Sequence, residues 1–319
     1  MVPMRVCTNR SSPLPFPDEH WPFHLDLGAE HRWDWWFGRI AVVSEHPFVK
    51  GHGTENDFVL LPDANGRLEL TADLVRRLCD RRSGIGGDGL IRVVRTDATD
   101  DPHAVAARDQ ARWFMDYWNA DGSPSEMCGN GIRVLARYLS DHADVDVRSP
   151  LAIATRAGIR LVEFTTDGIS VDMGEPRLLS DTTIKLGERS WPARNINMGN
   201  PHAVVFVDSL EEAGELLEAP EYDETSYPEG VNVEFVSRAG EHSLAMRVHE
   251  RGSGETRSCG TGACAAMVAA ALADGADRGT SYQVDLPGGS LQISWTEDNR
   301  ILMTGPAVLV AEGITSLVG

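Results

Sequence analysis

The sequence predicts an α+β protein built from two similar halves, because strand patterns are many, helical patterns are few, and one motif occurs twice. From Phe48 onward, short apolar runs are separated by Gly, Pro, Asn and Asp. Phe58–Leu61, Leu90–Val94, Trp113–Tyr117, Gly158–Phe164, Ile169–Met173 and Ala203–Val207 fit strands. So do Val231–Val236, Leu244–Glu250, Tyr282–Leu286, Leu291–Trp295 and Ile301–Thr304. Helical spacing is confined to three places. Thr71 is placed to cap a helix that carries Leu74, Val75 and Leu78 and ends near Arg82. Ile132, Leu135, Tyr138 and Leu139 share one helical face, and Ala263 to Leu272 is apolar nearly all round.

The repeated motif is Cys-Gly-x-Gly followed by an apolar helix. It occurs as Met127-Cys-Gly-Asn-Gly-Ile and as Ser258-Cys-Gly-Thr-Gly-Ala, about 130 residues apart, which two half-molecules of like design would explain.

Composition narrows the function. The chain has 319 residues, 42% of them apolar, with a formal net charge of −19, and its basic residues are scattered. Such a field repels nucleic acid and anionic membranes, so neither is expected as a partner. No run approaches the ~18 apolar residues of a membrane span, and the N-terminus lacks the apolar core of a signal peptide. Five cysteines (Cys7, Cys79, Cys128, Cys259 and Cys264) are an odd number without metal-ligand spacing. Free thiols in a reducing cytoplasm are expected. The ten histidines show no zinc-type spacing, so no metal is expected. Residues 1–46 stand apart, with Pro13, Pro15, Pro17 and Pro22 and then Trp33, Trp35, Trp36 and Phe37. They form an N-terminal extension whose role the sequence leaves open.

A thiol at a helix start meets unpaired N–H groups and roughly half a positive charge. Its pKa can fall from ~8.5 to about 7 or below. One such thiol suggests a nucleophile, whereas a matched pair suggests proton transfer at a carbon acid without pyridoxal phosphate or any other cofactor. One thiolate removes an α-hydrogen, the opposite thiol supplies a proton to the other face, and the helix starts stabilise charge developing on the carboxylate. The bland alternative is that Cys128 and Cys259 are small buried residues tolerated at helix starts. Their matched Cys-Gly-x-Gly surroundings favour chemistry, and Cys7, Cys79 and Cys264 lack that context.

At these motifs the sequence resembles the diaminopimelate epimerases, from about Phe48 to the end. The segments that carry the likeness are His52-Gly-Thr-Glu-Asn-Asp-Phe58, Asn119-Ala-Asp-Gly-Ser123, Met127-Cys-Gly-Asn-Gly131 and Gly199-Asn-Pro-His202. Pro228-Glu-Gly-Val-Asn232 and Glu250-Arg-Gly-Ser-Gly-Glu-Thr-Arg-Ser-Cys-Gly-Thr-Gly262 complete the set. The resemblance implies Cys128 and Cys259 as catalytic bases, with His202 and Glu250 tuning them. It implies Asn56, Asn119, Asn200, Asn232, Glu250 and Arg251 as substrate contacts, and the amides of Gly129, Asn130, Gly260 and Thr261 as a carboxylate cradle. Diaminopimelate carries an ammonium and a carboxylate at each end, so a guanidinium and carbonyl or carboxylate oxygens are the right chemical types for its distal end.

The implied fold is two pseudo-symmetric domains, each a mixed β-barrel-like sheet around a central helix. Residues 47–172 with 306–319 would form the first and 173–305 the second. The implied reaction converts LL- to meso-diaminopimelate for lysine and peptidoglycan precursor synthesis, in an enzyme that is often a homodimer. Three departures from the family pattern are visible: Thr54-Glu55 for Leu-Gly, Ala203 where a cysteine often follows Pro-His, and Gly89 where some members use a substrate-contacting Gln.

Two further readings have weight. Gly84-Ile-Gly-Gly-Asp-Gly89 fits a dinucleotide fingerprint, but it follows a helix and precedes a strand, so a plain turn is expected. A proline or hydroxyproline racemase shares the Cys-Gly pair but typically has His where this chain has Asn130. A non-catalytic binding protein on the same fold would bind ligand without turnover.

Overall fold

The computed structural model describes residues 45–318. The readings made for Cys7 and for the aromatic cluster at 33–37 lie outside the described residues. In chain order the elements of the N-terminal part are β1 (His46–Gly53), β2 (Asn56–Pro62), α1 (Ala72–Cys79), β3 (Gly89–Arg95), α2 (Pro102–Ala106), β4 (Trp113–Asn119) and α3 (Gly129–His142). Then come β5 (Leu151–Thr155), β6 (Gly158–Thr165), β7 (Gly168–Gly174), β8 (Arg177–Leu178), β9 (Thr182–Leu186), β10 (Arg189–Asn197) and β11 (Pro201–Phe206). The rest are β12 (Asn232–Gly240), β13 (Ser243–Glu250), β14 (Gly254–Thr256), α4 (Gly260–Asp274), β15 (Ser281–Leu286), β16 (Gly289–Trp295), β17 (Ile301–Gly305) and β18 (Val308–Thr315).

Strand pairing repeats itself. From β18 the neighbours run β1, β2, β3, β4, β5, β6, β7, with β2–β3 and β4–β5 parallel and the others antiparallel. From β9 they run β10, β11, β12, β13, β15, β16, β17, with β11–β12 and β13–β15 parallel and the others antiparallel. The two runs have the same pattern of pair types, and they join where β7 pairs antiparallel with β17. In each run the helix lies in the crossover between the fifth and sixth strands, α3 between β4 and β5 and α4 between β13 and β15. A parallel pair needs such a crossover, which is why the long helices fall there. The similarity first visible as two short motifs therefore extends through the topology.

Each run curls round its helix. α3 touches β1, β2, β3, β4, β7 and β18, and α4 touches β10 to β13 and β15 to β17. α4 is buried along Ala263–Ala271, as expected of a helix apolar on all sides. One hydrophobic cluster contains residues of both helices, including Ile132, Leu135, Ala266 and Met267. Alternation along the strands sorts side chains between the two faces. On β2, Phe58 and Leu60 join that central cluster, while Val59 and Leu61 pack outward with Val75 and Leu78 of α1. On β11, Val204 faces the central cluster while Ala203 and Val205 join an outer one with Phe235 of β12.

The structure shortens one predicted element. α1 ends at Cys79 and not near Arg82, because the Asp80 carboxylate accepts the amides of Arg82 and Ser83 at 2.8 and 2.6 Å and draws the chain into a turn. The glycine-rich stretch that follows is the expected helix-to-strand connection into β3. Strands β1, β5 and β10 did not stand out by alternation. His46-Pro47 with Gly51 and Gly53 dilute β1, and Arg189, Pro192 and Arg194 interrupt β10. No described helix is long and apolar enough to cross a membrane.

Candidate active site

Both motif cysteines are helix N-caps, with almost the same backbone. Cys128 caps α3 at φ −135°, ψ 122°, and Cys259 caps α4 at φ −124°, ψ 111°. The extended conformation of an N-cap aims its side chain back over the first-turn amides. Accordingly, the Gly262 N–H donates to Cys259 Sγ at 3.3 Å, and Thr261 Oγ1 lies 3.5 Å from the same sulfur. Cys128 Sγ–H donates to Asn56 Oδ1 at 3.6 Å. Both thiols are free, as are Cys79 and Cys264.

The two helix starts meet. Asn130 Nδ2 donates to Asn56 Oδ1 and to Ser258 Oγ, both at 3.2 Å, and Ser258 Oγ lies 2.5 Å from Thr54 Oγ1. A side chain added at Gly260 would fall 3.0 Å from Met303 Sδ and 3.3 Å from Asn130 Oδ1, so the first turn of α4 packs directly against that of α3. Thr54 and Glu55 form the tip of the β1–β2 hairpin, both at positive φ. Besides Thr54–Ser258, the Glu55 carboxylate pairs with the Arg257 guanidinium. The two positions that depart from the family pattern thus contact the segment leading into Cys259.

Strand ends supply the other groups. β11 and β12 are parallel and β13 runs opposite, so His202 and Asn232 near the strand starts and Glu250 at the strand end share one edge of the sheet. His202 Nδ1 lies 2.6 Å from Glu234 Oε1, and Nε2 lies 2.9 Å from Asn200 Oδ1, so both ring nitrogens face oxygen. Glu250 accepts the Thr256 hydroxyl. Asn232 donates to the Pro201 carbonyl at 3.2 Å and accepts the Arg251 N–H at 2.9 Å.

Not every expected residue points at the thiols. The Arg251 guanidinium donates to the Glu229 carbonyl at 2.8 Å. Asn119 accepts the Tyr117 hydroxyl and donates to Ser123 Oγ, both at 3.1 Å. In this arrangement the asparagines brace loops around the helix starts. Asn56 also donates to Asp88 at 2.8 Å.

The electrostatics correct one expectation. The thiols are not lowered. Burial pushes Cys128 up to about 11, with the Gly131 and Asn130 amides and the Arg133 charge pulling the other way. Burial, then the Glu250 and Glu234 carboxylates, holds Cys259 well above the usual thiol range, against the Thr261 hydroxyl and Gly262 amide. Desolvation outweighs the helix ends where water is excluded. Burial also raises Glu250 and Glu234, the latter opposed by His202.

Glu234 was not anticipated, although a charged residue inside Val233-Glu-Phe-Val was a legible signal. It is fully buried and shares the inward face of β12 with Asn232. Its Oε1 lies 2.7 Å from where a Gly262 side chain would begin, against the first turn of α4. No group of three or more His, Cys, Asp or Glu side chains suited to a metal occurs among the described residues.

The comparisons with relatives place the chain, with its two like-built halves, among the amino-acid epimerases, a class of isomerase. The sequence model of the family described as diaminopimelate epimerase matches residues 48–179 and 194–310. This chain belongs to that family. It is 56% identical over 274 residues to a diaminopimelate epimerase of Streptomyces coelicolor, covering 83% of this chain and 94% of the relative. It is 46% identical over 269 residues to that of Thermobifida fusca, covering 83% and 96%. Among solved structures, a phenazine biosynthesis protein of the PhzF family from Bacillus anthracis shares the fold, with TM-score 0.60, 16% identity and coverage of 85% of this chain and 99% of the other. A hydroxyproline epimerase from Agrobacterium vitis gives TM-score 0.60 at 15% identity, covering 85% and 92%.

Proposed function

We propose that this protein epimerises LL-2,6-diaminopimelate to meso-diaminopimelate, with Cys128 and Cys259 as the paired base and acid. The observation that carries the reading is the meeting of two cysteine-capped helix starts through Asn130 and Ser258. One sulfur, as thiolate, takes the α-hydrogen as a proton. The carbanion's charge spreads into the adjacent carboxylate, and the opposite thiol gives its proton to the other face of the carbon. The roles of the two sulfurs are exchanged when the centre has inverted.

The first-turn amides of Gly129, Asn130, Gly260 and Thr261 have no carbonyl partner within their helices, which suits them to cradle that carboxylate. The substrate's α-ammonium brings a positive charge beside the thiols and opposes the effect of their burial. His202 and Glu250 tune Cys259. Asn56, Asn119, Asn200, Asn232, Glu250 and Arg251 hold the remainder of the substrate as the halves close, residues 47–172 with 306–319 moving against 173–305. Closure excludes water and strengthens each of these interactions.

The reaction requires no cofactor, and the product would serve lysine and peptidoglycan precursor synthesis in the cytoplasm. The enzyme acts as a homodimer. β18 supports that reading, because it carries exposed Val308, Val310 and Ile314. The substrate assignment is tested by offering LL-diaminopimelate and L-proline separately in D₂O. Deuterium entry at the α-carbon of diaminopimelate alone is expected, and entry into proline alone would overturn the assignment.

A further inference from the structure

Tyr117 and Asn119 lie two residues apart on β4 and so share a face of that strand. Gly89 of β3 stands directly opposite Asn119. A side chain added at Gly89 would begin 2.6 Å from Tyr117 Cε2, 3.1 Å from the Tyr117 hydroxyl oxygen and 2.7 Å from the Trp118 carbonyl. Gly89 does not have a positive φ, so it is space that calls for glycine there. The Tyr117 ring occupies the room that a side chain at residue 89 would take, and Phe58 meets it edge-on with centroids 5.9 Å apart. Phe58 in turn lies against the first turn of α3, 3.3 Å from where a Gly131 side chain would begin.

The Tyr117 hydroxyl begins a chain of hydrogen bonds whose direction is fixed at the far end. An ionised carboxylate can only accept, and Asp121 accepts the Ser123 hydroxyl at 2.6 Å and the Ser123 amide at 2.8 Å. Those bonds hold the Asp121 carboxyl below its usual range. With its proton committed there, Ser123 Oγ accepts from Asn119 Nδ2 at 3.1 Å. The Asn119 amide is thereby turned with Oδ1 toward Tyr117, whose hydroxyl donates at 3.1 Å. A flipped amide would set two acceptors, Asn119 Oδ1 and Ser123 Oγ, against each other. Burial holds the Tyr117 hydroxyl well above the usual phenol range, so it keeps the proton it donates. One Nδ2 hydrogen and one Oδ1 lone pair of Asn119 remain for a ligand.

On the diaminopimelate reading above, in which Asn119 holds part of the substrate, we propose that Tyr117, seated over Gly89, is a positioning residue that locks the Asn119 amide in its substrate-binding orientation. Tyr117 acts through Asn119 and sets affinity for the part of the substrate away from the reacting carbon. A contact of that kind is made alike before and during proton transfer, so its loss appears in KM and not in kcat.

Steady-state kinetics with LL-diaminopimelate test the assignment on the full-length wild type, Tyr117→Phe, Asn119→Ala and the double variant. Phenylalanine keeps the ring over Gly89 and removes only the hydroxyl. Tyr117→Phe should raise KM about 3–10-fold and leave kcat within about twofold. In the Asn119→Ala background the same change should move KM by less than about twofold, because the hydroxyl acts through Asn119. An unmoved KM in Tyr117→Phe, a fall in kcat without a rise in KM, or the full KM effect retained beside Asn119→Ala would overturn the proposal. α-Deuterium exchange by the wild type keeps the two ideas apart. No exchange into diaminopimelate sinks the substrate reading and this inference with it, whereas exchange by the wild type with an unmoved Tyr117→Phe KM sinks the Tyr117 assignment alone.

Discussion

Asn130 Nδ2 donates to Ser258 Oγ at 3.2 Å, joining the second residue of α3 to the residue just before Cys259. Through that contact the two cysteine caps belong to one hydrogen-bonded patch, which continues to Thr54 at 2.5 Å and to Asn56 at 3.2 Å. Both Asn130 and Ser258 are buried, so the patch is not screened by water.

Ser258→Ala leaves the Thr54 hydroxyl and one Asn130 hydrogen bond without a partner. A loss of about 1–3 kcal/mol in folding stability is expected. The neighbouring Glu55–Arg257 pair is 48% and 62% exposed, so Arg257→Ala should cost less than about 1 kcal/mol. Urea unfolding of the two variants checks the ranking, and a larger loss from Arg257→Ala would contradict it.

Gly262→Ala reverses the usual helix rule. Alanine in a helix interior ordinarily gains about 1 kcal/mol over glycine. Here its methyl carbon would stand 2.7 Å from Glu234 Oε1 and 3.2 Å from Cys259 Sγ. The carboxylate is held by His202 and cannot retreat freely, so destabilisation by about 1–3 kcal/mol is expected, together with a fall in kcat. Thermal melting and steady-state kinetics of the variant give both values; a raised Tm with normal kcat would refute the packing argument.

Asp57 confers an acid-sensitive stabilisation. Against the effect of its burial, Arg81 and Lys50 hold its carboxyl well below the usual range. A lowered carboxylate stabilises the fold above its ordinary value near 3.8, and that contribution is lost as pH falls through the depressed one. Asp57→Asn should therefore cost about 1 kcal/mol at neutral pH, a figure kept small because Arg81 is 57% exposed. The gap from wild type should stay constant down to about pH 4 and narrow below it. Denaturant titrations at several pH values measure the gap, and one that widens toward acid would be the wrong sign.

Strands with clean alternation and the two cysteine-capped helices were readable from the sequence because their patterns are local. β2 declared itself through Phe58, Val59, Leu60 and Leu61, whichever face each residue met. β10 did not, because a Trp-Pro pair among arginines becomes a strand only when β9 and β11 supply its hydrogen bonds. In the site, Cys128 and Cys259 stood out by repetition. Ser258 and Glu234 did not, since each takes its meaning from a partner far away in sequence: Asn130 and His202. The burial that opposes the lowering expected from helix position was not legible for a related reason. Local sequence reports the helix dipole but not the depth of burial, and burial is the larger effect on both sulfurs.

The most direct test of the two-thiol account is the rate of LL- to meso-diaminopimelate conversion by folded Cys128→Ala and Cys259→Ala proteins, beside Cys264→Ala as a buried-cysteine control. Each of the first two should lose at least ~10²–10⁴-fold, while the control keeps most of its activity. Either capping variant converting substrate at close to the wild-type rate would contradict the account.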